Sequence, residues 1–156
     1  MGYCAELVRG DTFVISNPTA VLEKIKLDEP SMGHVSWCGL VDDYRKEFHY
    51  DDAQALAELL TNYGFWSTRD TTSVYVDGWQ GDKIGSSWDR IWYALADGGI
   101  HTTVTWVMRG EDGDHWVEIL DDGVRYYGYC QPQYLIASTH PSIDGKIIDE
   151  VGQVLA

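Results

Sequence analysis

The stretch Ile100–Cys130, IHTTVTWVMRGEDGDHWVEILDDGVRYYGYC, carries the clearest structural signal in the chain. Apolar and polar residues alternate along it in three runs, the pattern of strands with one face buried. The runs are separated by GEDGD at 110–114 and DDG at 121–123, and Asp-Gly pairs supply the positive φ that tight hairpins need. The stretch therefore predicts an antiparallel meander of three strands.

The alternation also predicts which side of the meander faces the core. Trp106, Trp116 and Leu120 fall on one face and are expected to pack against helices. The other face is expected to present residues such as Thr103, Thr105, His115 and Tyr127 to water or to a partner.

Helix signals flank a second predicted hairpin. Ser16-Asn17-Pro18 starts a helix that runs to about Leu27, Asp51-Asp52 starts another that ends at Gly64, and Ser86 or Ser87 caps a third that ends at Gly98-Gly99. Strands are expected at 3–8, 12–15, 65–69 and 72–76, with a weaker one at 34–38 and a loop at 77–85. The sequence thus predicts an α+β fold, in which an antiparallel sheet (the meander at 100–130 plus a hairpin at 65–76) has helices packed on one face.

The length and the tail indicate one domain with an extension. The chain has 156 residues, and residues 1–130 are expected to form a single domain. Residues 131–156 are expected to be a C-terminal extension with a short helix, because Ile143, Ile147 and Val151 recur at helical spacing. This helix could also pair with a second copy of the chain.

The charge balance points away from phosphate-rich partners. The formal net charge is −14, and the 11 basic residues are scattered. Binding to nucleic acid or to an anionic membrane needs clustered Lys and Arg, so neither is expected. An acidic field favours a basic protein surface or a cation. The three cysteines without a CxxC pair, and the lack of a signal-like or membrane-length apolar run, indicate a reducing cytoplasm.

Two clusters resemble reactive sites. Glu111, Asp112, Asp114 and His115 could hold a hard cation, since carboxylates at alternate positions supply oxygen ligands. The same residues suit a hairpin turn, which is the favoured interpretation. Cys38 with His34 or His49 could act as a nucleophile and base, but a structural cysteine is favoured. No catalytic residue, metal or cofactor is therefore expected.

Aromatic residues offer the other candidate surface. If exposed, Trp66 and Trp79 would be protein-interface anchors, because Trp dominates binding hot spots. The acidic turns complete the predicted binding surface with Glu111, Asp112, Asp114, Asp121 and Asp122.

The order of elements and the words NYGF, WDRIWYALADGG and ADGGIHTTVTWVMRGEDGDHWVEILDDGV resemble a loose group of small uncharacterised proteins from bacteriophages and mobile elements. Some of these carry a YubB-type ferredoxin-like domain. The resemblance covers about residues 51–127 and implies a ferredoxin-like sheet with helices on one face. It implies no catalytic residue.

Three functions follow as hypotheses. The favoured one is an acidic, non-enzymatic protein-binding module encoded by a phage or mobile element. In the host cytoplasm it would bind a host protein with a basic surface, for example a nucleic-acid-binding protein, and modulate or inhibit it. The alternatives are a metal-dependent hydrolase that uses the 111–115 turn, and a structural module that self-associates through its C-terminal helix.

Overall fold

The structure, a computed structural model, describes residues 3–27, 37–81, 83–84 and 86–129. Eight strands and four helices occur there. They are β1 (Tyr3–Gly10), β2 (Phe13–Ile15), α1 (Pro18–Leu27), α2 (Trp37–Lys46), α3 (Asp52–Asn62), β3 (Phe65–Arg69), β4 (Val74–Trp79), β5 (Lys83–Ile84), α4 (Ser86–Ala96), β6 (Val104–Gly110), β7 (His115–Asp121) and β8 (Val124–Tyr129).

The strands form two antiparallel sheets. One has five strands in the order β5-β1-β6-β7-β8, and the other has three in the order β2-β4-β3. The predicted meander is confirmed as β6-β7-β8, with Trp106 opposite Glu118 and Glu118 opposite Tyr127. The α+β class with antiparallel strands is confirmed, but the 65–76 hairpin joins β2 in a sheet of its own.

A corner at Asp11 explains why there are two sheets. β1 leaves the large sheet at Gly10, and β2 enters the small one at Phe13. Between them, Asp11 binds the start of β6: its carboxylate accepts from the Thr105 amide at 2.9 Å, and its carbonyl accepts from the Trp106 indole at 2.8 Å. The Trp106 ring lies over Gly10, where an added Cβ would be 2.8 Å from the ring. A side chain at position 10 would therefore displace it.

Local signals account for the helices. Asp51 caps α3 in a reciprocal capping box: its carboxylate accepts from the Gln54 amide, and the Gln54 side chain accepts from the Asp51 amide. At the start of α1, the Asn17 side chain accepts from the Ala20 amide at 3.2 Å. The predicted helices at 18–27, 51–64 and 86–98 are thus confirmed, with ends shifted by a few residues.

The core lies between the sheets and the helices. α4 packs on β7 and β8, α3 packs on β3 and β4, and α1 lies against both helices. Four aromatic rings join the layers, with Trp106 at their centre. The centroid of the Trp106 ring lies 6.1 Å from that of Phe13, 5.2 Å from that of Trp92 and 5.8 Å from that of Phe65. Burial of apolar surface is the dominant favourable term in folding, and aromatic rings bury more of it per side chain than most residues.

Three expectations about the chain path were wrong. Residues 37 and 38 begin α2 instead of forming a strand, while residues 34–36 lie outside the described part of the chain. The expected loop at 77–85 contains the end of β4 and all of β5, which pairs with Tyr3 and Cys4. The expected outer face of the meander is wrong at two residues: Thr105 is buried, and Tyr127 shares a face with Glu118 and not with His115, because it lies directly opposite Glu118. The extension at 131–156 also lies outside the described residues.

Within the described ranges, no helix combines the length and apolar character required to cross a membrane.

The β3–β4 turn gives a first prediction. The Asp70 carboxylate accepts from the amides of Thr72 and Ser73, both at 2.8 Å, and from the Tyr75 hydroxyl at 2.7 Å. These bonds, with the Thr72 amide foremost, lower the pKa of Asp70 from 3.8 to about 2. A lowered pKa means that this stabilisation is fully present above pH 3.8 and is lost as the pH falls through about 2.

We expect carboxyl-carbon NMR to give Asp70 a midpoint near pH 2, and Tyr75→Phe to move that midpoint toward 3.8. A wild-type midpoint already near 3.8 would show that the turn is not formed as described.

Candidate protein-binding groove

Trp66 and Trp79 line one open groove between the two sheets. Residues 4–7 of β1 form one wall, and Trp66 with residues 79–81 forms the other. The groove encloses about 650 Å³, which is within the range of ligand sites. The structure therefore brings both predicted tryptophans together, although they are separated by the length of a hairpin in the sequence.

Trp66 presents an indole face to solvent. It is 56% exposed, and of the tryptophans whose side-chain burial the structure describes (66, 79, 88, 92, 106 and 116) it is the one that is largely exposed. It lies opposite Gly78 in the β3–β4 pair, and its ring stands 3.2 Å from where a Cβ on Gly78 would be. Packing over this glycine supports one side of the ring and leaves the other accessible.

Trp79 is buried, which corrects the expectation that it is an exposed anchor. Only 5% of it is exposed, its indole N–H donates to the Tyr63 carbonyl at 3.0 Å, and its ring packs edge-on against Trp88. Trp66 and Ser67 pair with Gly78 and Val76, so Asp77 is an extra residue in β4. This bulge reverses the alternation and places Trp79 on the core face with Val76.

The β1 wall of the groove is a strand edge. β5 pairs with β1 only at Tyr3 and Cys4. Beyond Cys4, no strand in the described ranges pairs with the side of β1 that faces away from β6. Strand edges offer backbone donors and acceptors to a partner.

One acidic turn lies beside this groove. Glu111, Asp112 and Asp114 are exposed in the β6–β7 turn, and the Glu111 amide donates to the Cys4 carbonyl at 2.9 Å. Gly113 adopts φ +83°, as the turn interpretation requires. In the described ranges, no three His, Cys, Asp or Glu side chains are arranged to hold a metal ion. His34, one partner in the thiol alternative, lies outside them.

The other acidic turn is remote from the groove. Asp121 and Asp122 are exposed in the β7–β8 turn, at the far end of β7 from Glu111. Seven residues of strand separate the two turns by roughly 20 Å. Asp121 accepts a hydrogen bond from the Thr103 hydroxyl at 3.0 Å, and Asp122 has φ +48°. These two aspartates therefore shape a turn and add to the negative electrostatic field of the protein, but they do not belong to the groove.

A buried ion pair was missed in the sequence. Arg125 and Glu118 are each 1% exposed and form two parallel hydrogen bonds, Nε to Oε2 at 2.7 Å and Nη2 to Oε1 at 2.8 Å. The Trp88 indole donates to the same carboxylate at 2.9 Å. Asp89, which is 63% exposed, lies 2.9 Å from Nη1 of Arg125, although that nitrogen makes no hydrogen bond of good angle. The pair thus has an exposed acidic neighbour at one end.

Aromatic rings enclose the arginine of this pair. The Arg125 guanidinium lies 4.6 Å from the Tyr93 ring centre and 4.4 Å from that of Tyr127, both within cation–π range. Burial alone would lower the pKa of Arg125, but Glu118 and Asp89 outweigh it and raise that pKa above its usual value. Burial, then a hydrogen bond with Tyr127, raises the pKa of Tyr93 to about 12.

The hairpin register could have revealed this pair. Glu118 falls on the same face as Trp116 and Leu120, and a tight DDG turn places Arg125 opposite Leu120. Glu118 and Arg125 are then diagonal neighbours on the core face of one hairpin. Two opposite charges in such positions predict a buried pair.

Comparisons with known proteins return no relatives. No protein-family model matches the chain, and neither a curated protein nor a solved structure is significantly similar to it.

Proposed function

We propose that this protein is an acidic, non-enzymatic module that binds a partner protein with a basic surface through the Trp66 groove. The observation that carries the proposal is the 56% exposure of Trp66 in a groove beside a strand edge. An exposed aromatic ring held in place by packing on the neighbouring strand is the kind of residue that anchors protein interfaces.

Charge supports the basic character of the partner. The net charge of −14 attracts cationic surfaces over distances of about 10 Å at moderate salt. Glu6 lines the groove, and the exposed β6–β7 turn lies next to the β1 end of it. Acidic groups near an aromatic anchor combine steering with a docking point.

The biological setting is part of the same proposal. The resemblance of residues 51–127 to small phage and mobile-element proteins is the ground for proposing a ferredoxin-like relationship and a role in the host cytoplasm. There the protein would modulate or inhibit a host protein, and nucleic-acid-binding proteins are natural targets because their surfaces are basic.

Short labelled peptides of graded charge test the binding function by fluorescence anisotropy. We expect affinity to rise with positive charge and to fall between about 50 mM and 500 mM salt. Trp66→Leu should weaken binding of the basic peptides about tenfold, because it removes the aromatic anchor.

Tyr129→Leu is the matched control, since Tyr129 is 64% exposed but lies on β8, the opposite edge of the five-stranded sheet. It should leave binding unchanged. Equal binding of neutral and basic peptides, or equal losses in the two variants, would contradict the proposal.

A further inference from the structure

We infer that the Trp66 groove binds an arginine side chain of the partner, with the guanidinium on the indole face and its N–H groups directed to Glu6 and to the edge of β1. This inference rests on the proposed function and names the chemical group that the groove selects.

The indole face is suited to a cation. One side of the Trp66 ring is packed over Gly78, while more than half of the side chain remains exposed toward the groove and solvent. Tryptophan has the strongest cation–π attraction of the aromatic side chains, and guanidinium is the protein cation found most often over aromatic rings. A ring already fixed in position loses little conformational freedom when the cation binds.

Acceptors line the opposite wall. The Glu111 amide donates to the Cys4 carbonyl, so the backbone groups of Cys4 and Glu6 point toward β6. In an antiparallel pair these directions alternate, so the carbonyl of Leu7, a residue that lines the groove, points to the side of β1 that faces away from β6. The guanidinium of arginine has five N–H donors in a planar fork, so it can bind a backbone carbonyl and a carboxylate together. The ammonium group of lysine is a compact point charge and lacks this geometry.

The carboxylate of Glu6 can respond to an incoming arginine. It is 54% exposed and forms an ion pair with Arg109, which is itself 51% exposed. Exposed pairs of this kind contribute little to stability, so sharing the carboxylate with a second guanidinium costs little. The fold already holds one arginine by the same chemistry, with Arg125 between two tyrosine rings and against a glutamate.

The groove has room for this side chain. Gly81, on its wall, packs closely on the Trp79 ring, since an added Cβ would stand 2.2 Å from that ring. The groove volume of about 650 Å³ accommodates one extended arginine side chain.

Three peptides that differ only at one central residue test the inference. The residue is arginine, lysine or citrulline, and the flanking residues are the same lysine and serine mixture. We expect the arginine peptide to bind at least about fivefold more tightly than the lysine peptide, and more tightly still than citrulline. Proton–nitrogen NMR should show the indole N–H of Trp66 shifting most with the arginine peptide.

Variants separate this site from general charge attraction. Trp66→Leu and Glu6→Gln should each remove the preference for arginine over lysine. Glu23→Gln removes an equally exposed, arginine-paired carboxylate on α1 (52% against 54%) and should retain the preference. Circular dichroism of each variant establishes that it is folded.

The outcomes distinguish the two proposals. Equal binding of the arginine and lysine peptides overturns the arginine site while leaving the basic-partner function in place. A preference that survives in Trp66→Leu also overturns it. If none of the basic peptides binds, both proposals fail.

Discussion

Arg125→Met should lower the free energy of unfolding by about 3–5 kcal/mol, a large part of the stability of an ordinary domain. The substitution leaves the Glu118 carboxylate, 1% exposed, without the guanidinium that makes two hydrogen bonds to it. It also removes the cation between the rings of Tyr93 and Tyr127. Chemical denaturation monitored by circular dichroism measures the loss.

The sheet offers a matched control. Arg109 also pairs with a glutamate on a neighbouring strand, but both partners are about half exposed. Arg109→Met should therefore cost less than about 1 kcal/mol. Replacing both members of the buried pair by leucine should recover most of the stability, because no unpaired charge is left inside. Equal losses for the two arginine variants would show that burial of the Glu118 pair does not matter.

The loss in Arg125→Met should depend on pH. Burial raises the pKa of Glu118, while Arg125 and Trp88 act in the opposite direction. Without Arg125 the raised pKa favours the protonated carboxyl in the folded state. The stabilisation of the folded state by the protonated carboxyl is complete below the usual pKa of 4.5, and it is lost as the pH rises through the folded-state pKa of Glu118. The variant should therefore lose less stability at about pH 4 than at about pH 7.

Trp106→Ala is the second large effect, and we expect it to cost about 3–5 kcal/mol. The Trp106 side chain is fully buried and touches Phe13 of one sheet and Trp92 of α4. Its indole N–H also holds the Asp11 corner at 2.8 Å. Alanine would leave a cavity at the junction of both sheets and would release the corner. Thermal and denaturant unfolding should both show the loss.

Trp66→Ala is the comparison for this core substitution. Trp66 also lies on a strand, but 56% of it is exposed, so its removal should cost about 1 kcal/mol or less. A loss as large as that of Trp106→Ala would mean that Trp66 supports the fold. Trp66 could then no longer be assigned to binding by substitution alone.

Much of the fold could be predicted from local patterns. The alternation between Val104 and Tyr129 places Trp106 and Leu120 inside, as observed, because successive side chains of a strand point to opposite faces. It did not predict that β6 is buried on both faces, with Thr105 and Val107 covered as well. The helix starts at Pro18 and Asp52 follow from capping residues beside them. No helix was predicted at α2, because its first residues offered an apolar run that also suits a strand and the stretch from Val41 mixes charged and aromatic residues.

The candidate site was predicted only in part. The sequence singled out Trp66 and Trp79, and the structure places them in one groove but exposes only the first. The bulge at Asp77 reverses the face on which Trp79 lies, and a bulge depends on pairing with β3 instead of on the residues of β4 alone. Pairing of this kind is decided when distant strands meet.

The sequence by itself determined the meander, its two acidic glycine turns, the capped helices and the strong negative charge. Each of these depends on residues close together in the chain, through side-chain periodicity, turn conformation or composition. Only the tertiary structure decided that the hairpin at 65–76 joins β2, that β5 pairs with β1 only at Tyr3 and Cys4, and that Trp66 lines the same groove as β1. These features arise from the Asp11 corner and from sheet pairing across the chain, where the free energy of packing, and not local preference, selects the arrangement.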